Sequence, residues 1–254
     1  MMKKIFCSLL LLISTVGSAS YAHGPGEHLT DDHESAVPHV NPGHLEGNLD
    51  GLNHTEKDVP ADEYVPQFLN QLILIETSGA YDQQEANNMV NRLQQIDEQL
   101  LYALYIRNIR IKLINFPITH LPEYAHLRGI VPRGWEGTGY TWDHVPGIGG
   151  NPAVARIGYS DYGNMHTSIN LELHEVAHAI DIYVFGYISY STLFRQIHAY
   201  ERFSFSNSSY YAYPEEYFAE TFAYYYRSPQ SRQTLYNRAP YTYWFIQTLT
   251  SRLY

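Results

Sequence analysis

The segment His174-Glu175-Val176-Ala177-His178 brings together side chains whose types and spacing suit metal-assisted hydrolysis. On a helix, residues four apart share a face, with β-carbons ~5–6 Å apart, so both imidazoles can reach one cation. Glu175 lies beside them and can take a proton from a water activated there. Two histidine ligands with an interleaved carboxylate is the arrangement of zinc proteases. Two ordinary helix histidines produce the same pentapeptide by chance, so the rest of the chain has to decide.

Catalytic zinc usually takes three protein ligands plus water. In the extended metzincin pattern the third histidine would fall at Val184 and a required glycine at Asp181, which excludes that subclass. Asp181, one turn further along the same helix, recedes from the metal and suits a place behind a histidine. Better donors stand in Pro214-Glu215-Glu216-Tyr217-Phe218-Ala219-Glu220. Pro214 suits a first helical position, and the acids after it complement the helix dipole. Glu216 and Glu220 share one face amid Tyr217, Phe218, Phe222 and Tyr224. Carboxylates in such apolar company are costly unless a cation or metal compensates them. Spacing leaves open which of the two binds metal and which supports a histidine.

These side chains need elements to hold them. Asn170 is a good N-cap for the histidine helix and Gly186 a good stop. Leu173, Ala177, Ile180 and Val184 make an apolar stripe; beside it His174, His178 and Asp181 make a second that packing does not require. Upstream, residues 63–77 and 83–104 carry helical apolar spacing. Residues 109–114 alternate as a strand, residues 153–159 read as another, and the Gly- and Trp-rich stretch 134–150 reads as irregular. Everything after Ile169 reads as helix. The pattern predicts an α+β domain, a small sheet first and helices after it.

Composition bounds the setting. Lys3 and Lys4, an apolar run over residues 5–16 and Ser20-Tyr21-Ala22 read as a signal peptide covering residues 1–22. That run is shorter than the ~20 residues of a membrane span, and no later stretch approaches one. Export is therefore expected, to the extracellular space or a periplasm. The single cysteine, Cys7, falls in the signal, so the mature chain has no disulfide or thiol chemistry. Residues 23–60 are rich in Gly, Pro, Asp and Asn and carry His23, His28, His33, His39, His44 and His54. They cannot bury enough apolar surface to order themselves, and read as a disordered, solvated leader, with loose zinc capture as the other reading. Residues 61–254 make one domain. The net charge of −10 excludes nucleic acid as a partner and disfavours anionic membranes, but suits a basic or neutral peptide. The 24 tyrosines, concentrated in the last third, read either as core and surface or as an aromatic peptide groove.

The two metal-site segments together resemble the catalytic domain of anthrax lethal factor and, more closely, the small secreted bacterial Pro-Pro endopeptidases. Val131-Pro132-Arg133-Gly134-Trp135-Glu136-Gly137-Thr138-Gly139, Thr141-Trp142-Asp143, Val145-Pro146-Gly147-Ile148-Gly149-Gly150, Ala155-Arg156-Ile157-Gly158 and Ile169-Asn170-Leu171-Glu172-Leu173 carry the closer likeness. The resemblance implies a zincin-like fold with one zinc ion (Zn2+) per chain, held by His174, His178 and Glu216. It also implies Glu175 as base, Glu220 behind a ligand, and a tyrosine that stabilises the oxyanion. That tyrosine sits seven residues before the third ligand in the family, where this chain has Ser209. A one-residue deletion makes Tyr210 the equivalent, with Tyr211 the second choice. Arg133 stands where a lysine is usual.

The implied activity is hydrolysis between two prolines of an extended, proline-rich segment by a monomer. Trp135, Arg133, Gly149, Gly150 and Glu215 are expected at the substrate, and the strand near 153–158 is expected to pair with it. The rival reading is an exported zinc-binding or scavenging protein with a degenerate, non-catalytic site. Retention of Glu175 weighs against it, since a metal binder has no need of that carboxylate.

Overall fold

Helical spacing over residues 63–77 gives way at Ile73. Leu69–Leu72 forms a single helical turn, α1, and Ile73–Glu76 continues as strand β1. Ile73 and Ile75 are β-branched, and a parallel partner, Ile111–Ile114 (β2), pairs with them from Ile73↔Ile111 to Glu76↔Ile114. Sheet pairing overrides a local helical pattern here. The computed structural model describes residues 66–132 and 135–253; the expected signal peptide, the histidine-rich leader and Arg133 lie outside the described residues.

The expected helix over 83–104 is two helices, α2 (Gln83–Leu93) and α3 (Glu98–Ile106). Asp82 and Asp97 cap them, accepting from the Glu85 and Gln99 N–H groups at 2.9 Å each. Ala153–Arg156 is an inner strand, and the stretch read as irregular contains a two-residue strand, Gly147–Ile148. Taking that short strand as β3 and the inner one as β4, the sheet order is β1-β2-β4-β3, with only β3 antiparallel. The strand at 153–158 therefore has no edge to offer a peptide between residues 153 and 156, because β2 takes one side and β3 the other. Among the described residues β3 is the outer strand on that side.

Alternation along the strands separates two cores. Ile111, Leu113, Ala153 and Ala155 face one cluster, with Leu173, Val176, Phe218 and Phe222. Ile114 and Val154 face the other, with Ile118, Val145, Trp135 and Trp142. Helix α4 (Leu171–Ala179) crosses the first face and runs on through a π-helical turn, Ile180–Val184, ending near Gly186 at φ 63°. Asn170 caps it as expected, its Oδ1 accepting from Leu173 N–H at 3.0 Å. Everything beyond it is helical: α5 (Thr192–Phe205), α6 (Pro214–Arg227), α7 (Pro229–Arg238) and α8 (Pro240–Gln247). The principal partner of α4 is α6, which starts at Pro214. No helix of the described residues is long and apolar enough to cross a membrane.

The glycines of β3 set how closely α4 can approach. A methyl at Gly147 would come within 2.7 Å of Glu175 Oε1, and one at Gly149 would run into the His178 side chain. At Gly150 it would meet the Tyr124 hydroxyl. Gly149 and Gly150, expected at the substrate, are thus demanded by packing. Gly149→Ala should destabilise the fold by about 1–3 kcal/mol, since His178 Cβ sits on a rigid helix and cannot yield. Chemical denaturation measures this, and an unchanged midpoint would contradict the packing.

Candidate metal centre and catalytic site

Helix α4 turns both histidines toward α6, which answers with two carboxylates. The Nε2 atoms of His174 and His178 lie 3.1 Å apart, and each is 3.3 Å from the same oxygen, Glu216 Oε2. One ligand atom from each of the three residues falls within 4.8 Å of the others. Two imidazole lone pairs and a carboxylate at such range repel unless a proton or a cation lies between them, and a divalent ion satisfies all three at once. Glu220 stands behind: its Oε2 lies 3.3 Å from His174 Nδ1, while its Oε1 accepts from Ile169 N–H at 2.9 Å. With Nδ1–H donated to Glu220, His174 keeps the Nε2 lone pair for a metal. Of the two carboxylates that spacing left open, Glu216 is the one that converges with both histidines, and Glu220 lies behind His174.

Glu175 projects from α4 next to Gly147, and neither of its oxygens has a hydrogen-bond partner among the described residues. Tyr210 donates its hydroxyl to Glu216 Oε2, and its ring stacks beside His174 at 6.5 Å between centroids. Tyr211 packs edge-on against Phe205 and meets Glu220 rather than Glu216 with its hydroxyl. Of the two candidates, Tyr210 is the tyrosine at the cluster.

The family described as "Anthrax toxin lethal factor, N- and C-terminal domain" matches residues 59–249. The chain belongs to the lethal factor family. A Pro-Pro endopeptidase of Clostridioides difficile is 52% identical over 182 residues, covering 71% of this chain and 82% of the relative. One of Paenibacillus alvei is 42% identical over 192 residues, covering 75% and 88%. The solved Pro-Pro endopeptidase structure from Paenibacillus alvei superposes with a TM-score of 0.68 at 42% identity, covering 72% of this chain and 99% of that one.

In this lethal factor family member the electrostatics of the site favour a central cation. Burial works against a charged His174, but Glu216 and Glu220 outweigh it and raise the imidazole to about 10. Burial likewise works against the Glu216 carboxylate, but His178 and His174 outweigh it and hold Glu216 at about 2. The cluster therefore holds positive charge against a fixed anion, the role a metal fills. Glu175 is raised to about 8, chiefly by burial, with His174 opposing and the Glu216 charge adding.

The other expected residues each have partners of their own. Asp181 does not back a histidine: its oxygens accept from Ser189 N–H at 2.8 Å and Ser189 Oγ at 2.6 Å, tying down the turn after α4. It makes no hydrogen bond to His178, whose Nδ1 has no partner among the described residues. Trp135, expected as a wall of the substrate site, is 1% exposed and packs edge-on against Tyr140 in the second core. Glu215 is largely buried and accepts from the Tyr190 hydroxyl at 2.6 Å. Two features had no signal in local pattern. Arg92 of α2 binds Glu172 of α4 at 2.5 Å, and His166 lies buried next to the site. Glu216→Ala should abolish tight metal binding, whereas Glu220→Ala should weaken it by ~10–100-fold. Competitive metal titration of both variants checks the order, and a reversed order would exchange their roles.

Proposed function

We propose that this chain is an exported, monomeric zinc endopeptidase that hydrolyses the bond between two consecutive prolines of an extended peptide. The observation that carries the reading is Glu175: a buried carboxylate, unpartnered among the described residues, beside three converging ligand atoms. A metal store has no use for that group. The names of the relatives at 52% and 42% identity support the choice of bond, and the basic start and apolar run of residues 3–22 support export.

His174, His178 and Glu216 would hold zinc, whose Lewis acidity activates water near neutral pH and polarises a carbonyl. Glu175 takes the proton of the attacking water and passes it to the leaving proline nitrogen, which must leave as an amine. Burial disfavours its charged form, and a dication at the neighbouring ligands would favour the carboxylate that accepts the proton. Tyr210 exchanges its bond to Glu216 for one to the developing oxyanion. The outer edge of β3 lies over Glu175 and suits an extended substrate paired as an added strand. A proline after the cut has no N–H to satisfy and a fixed φ, and consecutive prolines are stiff before binding, so less entropy is lost.

Mass spectrometry of peptides with a central Pro-Pro, Pro-Ala or Ala-Pro and randomised flanks tests the bond. Cleavage should occur between the prolines and stop with chelator; preference for the singly substituted peptides would sink the specificity while sparing the protease. Glu175→Gln should lose turnover and keep its metal. Tyr210→Phe should lower kcat by roughly 10²-fold with KM little changed, as for a bond made in the transition state. A comparable loss from Tyr211→Phe instead would move the oxyanion role to that residue.

A further inference from the structure

The chain between β4 and α4 is exposed over residues 161–164, yet its next histidine turns inward, and His166 is 5% exposed. The turn needs unusual backbone: Met165 stands at φ 64° and Gly163 at φ 93°, with Gly163 N–H donating to the His166 carbonyl at 3.1 Å. A left-handed methionine is uncommon and persists where its surroundings demand it. Both ends of the segment are fixed, by the Asp161↔Asn170 bridge and the Asp161–Arg227 ion pair at 3.1 Å. The loop thus holds the histidine in one place.

His166 Nε2 lies 2.6 Å from the Tyr159 carbonyl, so that nitrogen carries the proton. Burial lowers its pKa and keeps the ring neutral, so Nδ1 has a bare lone pair. Among the described residues Nδ1 is buried without a hydrogen-bond partner, like both oxygens of Glu175. His166, Glu175, His174 and Tyr210 line one small cavity, with room for about a single water. Buried polar groups of this kind are ordinarily satisfied by such a water. A bare lone pair and a carboxylate are both acceptors, and water offers two donors.

We propose that His166 is a positioning residue of the hydrolysis: its Nδ1 and the Glu175 carboxylate share one water, which holds the base in a single orientation. This rests on the reading of Glu175 as the base. The neutral tautomer fixed by Tyr159 is essential, because a proton on Nδ1 would turn the acceptor away from the water. An unheld carboxylate spends part of its time in orientations that do not reach the attacking water, so the loss falls on kcat.

Two variants of the zinc-loaded protein separate the nitrogens. In His166→Gln the amide N–H can reach the Tyr159 carbonyl but nothing stands at Nδ1. In His166→Asn the reverse holds. His166→Gln should lower kcat by ~10-fold or more with KM, bound zinc and Tm close to wild type, in the range for residues acting through another. His166→Asn should lose Tm but keep more of kcat than the glutamine variant. A wild-type kcat for His166→Gln, or a loss proportional to lost zinc, overturns the proposal. A high-resolution crystal structure of the wild-type protein gives a readout independent of activity. It should show a water within hydrogen-bond distance of both His166 Nδ1 and Glu175, and its absence overturns the proposal. Turnover by Glu175→Gln would instead overturn the underlying reading of the base.

Discussion

Three carboxylates and two imidazoles are packed together away from bulk solvent: Glu175, Glu216, Glu220, His174 and His178 are each at most 2% exposed. Burying ions costs several kcal/mol apiece unless the geometry compensates them. Here the groups converge on one point, where a cation would turn mutual repulsion into attraction. The rest of the structure is arranged so that α4 and α6 can meet at that distance. Removing the cation's partners one at a time leaves a charge with nowhere to go, so the cluster is tolerated as a unit.

Close approach requires small residues below and large ones behind. Gly147 and Gly149 let β3 lie against α4, and Ala153 and Ala155 do the same for β4. On the far side of α6, Phe194 meets Phe218 edge-on at 5.5 Å, and Phe205 meets Tyr217 at 5.6 Å, pressing the helix toward the metal residues. Glu201 anchors the start of α8, accepting from the Tyr241 and Thr242 N–H groups at 2.8 Å each. Many of the tyrosines of the last third are accounted for here. Tyr211, Tyr217 and Tyr226 are core, Tyr210 serves the site, and Tyr200 and Tyr241 pair on the surface.

The orientation of α4 has its own support. Glu172 in its first turn accepts from Arg92 Nε at 2.5 Å and from Asn170 Nδ2 at 2.9 Å, while Arg92 also reaches Glu85 and Ser160. At the other end Asp181 holds Ser189. The start of the histidine helix is therefore tied by charged groups to α2, remote in sequence, and its end to the turn that follows it, which limits how far the histidines can drift.

Periodicity of side chains along one helix is a local property, and it was readable. The four-residue spacing put His174 and His178 on one face with Glu175 beside them, Asn170 announced the cap, and Pro214 the start of the second helix. The α+β order followed from the same kind of pattern. Questions about pairs of segments had no local answer. Glu216 and Glu220 share a helix face, and only the packing of α6 against α4 put the first between the two histidines and the second behind His174. Ile73–Glu76 became a strand because β2 lay beside it, and Trp135 became core because the second cluster closed over it. Asp181 was taken up by Ser189 in the turn that follows, and His166 was turned inward after a left-handed residue. Local sequence sets what each segment can present; contact between distant segments decides what each side chain touches, because that energy exists only once they meet.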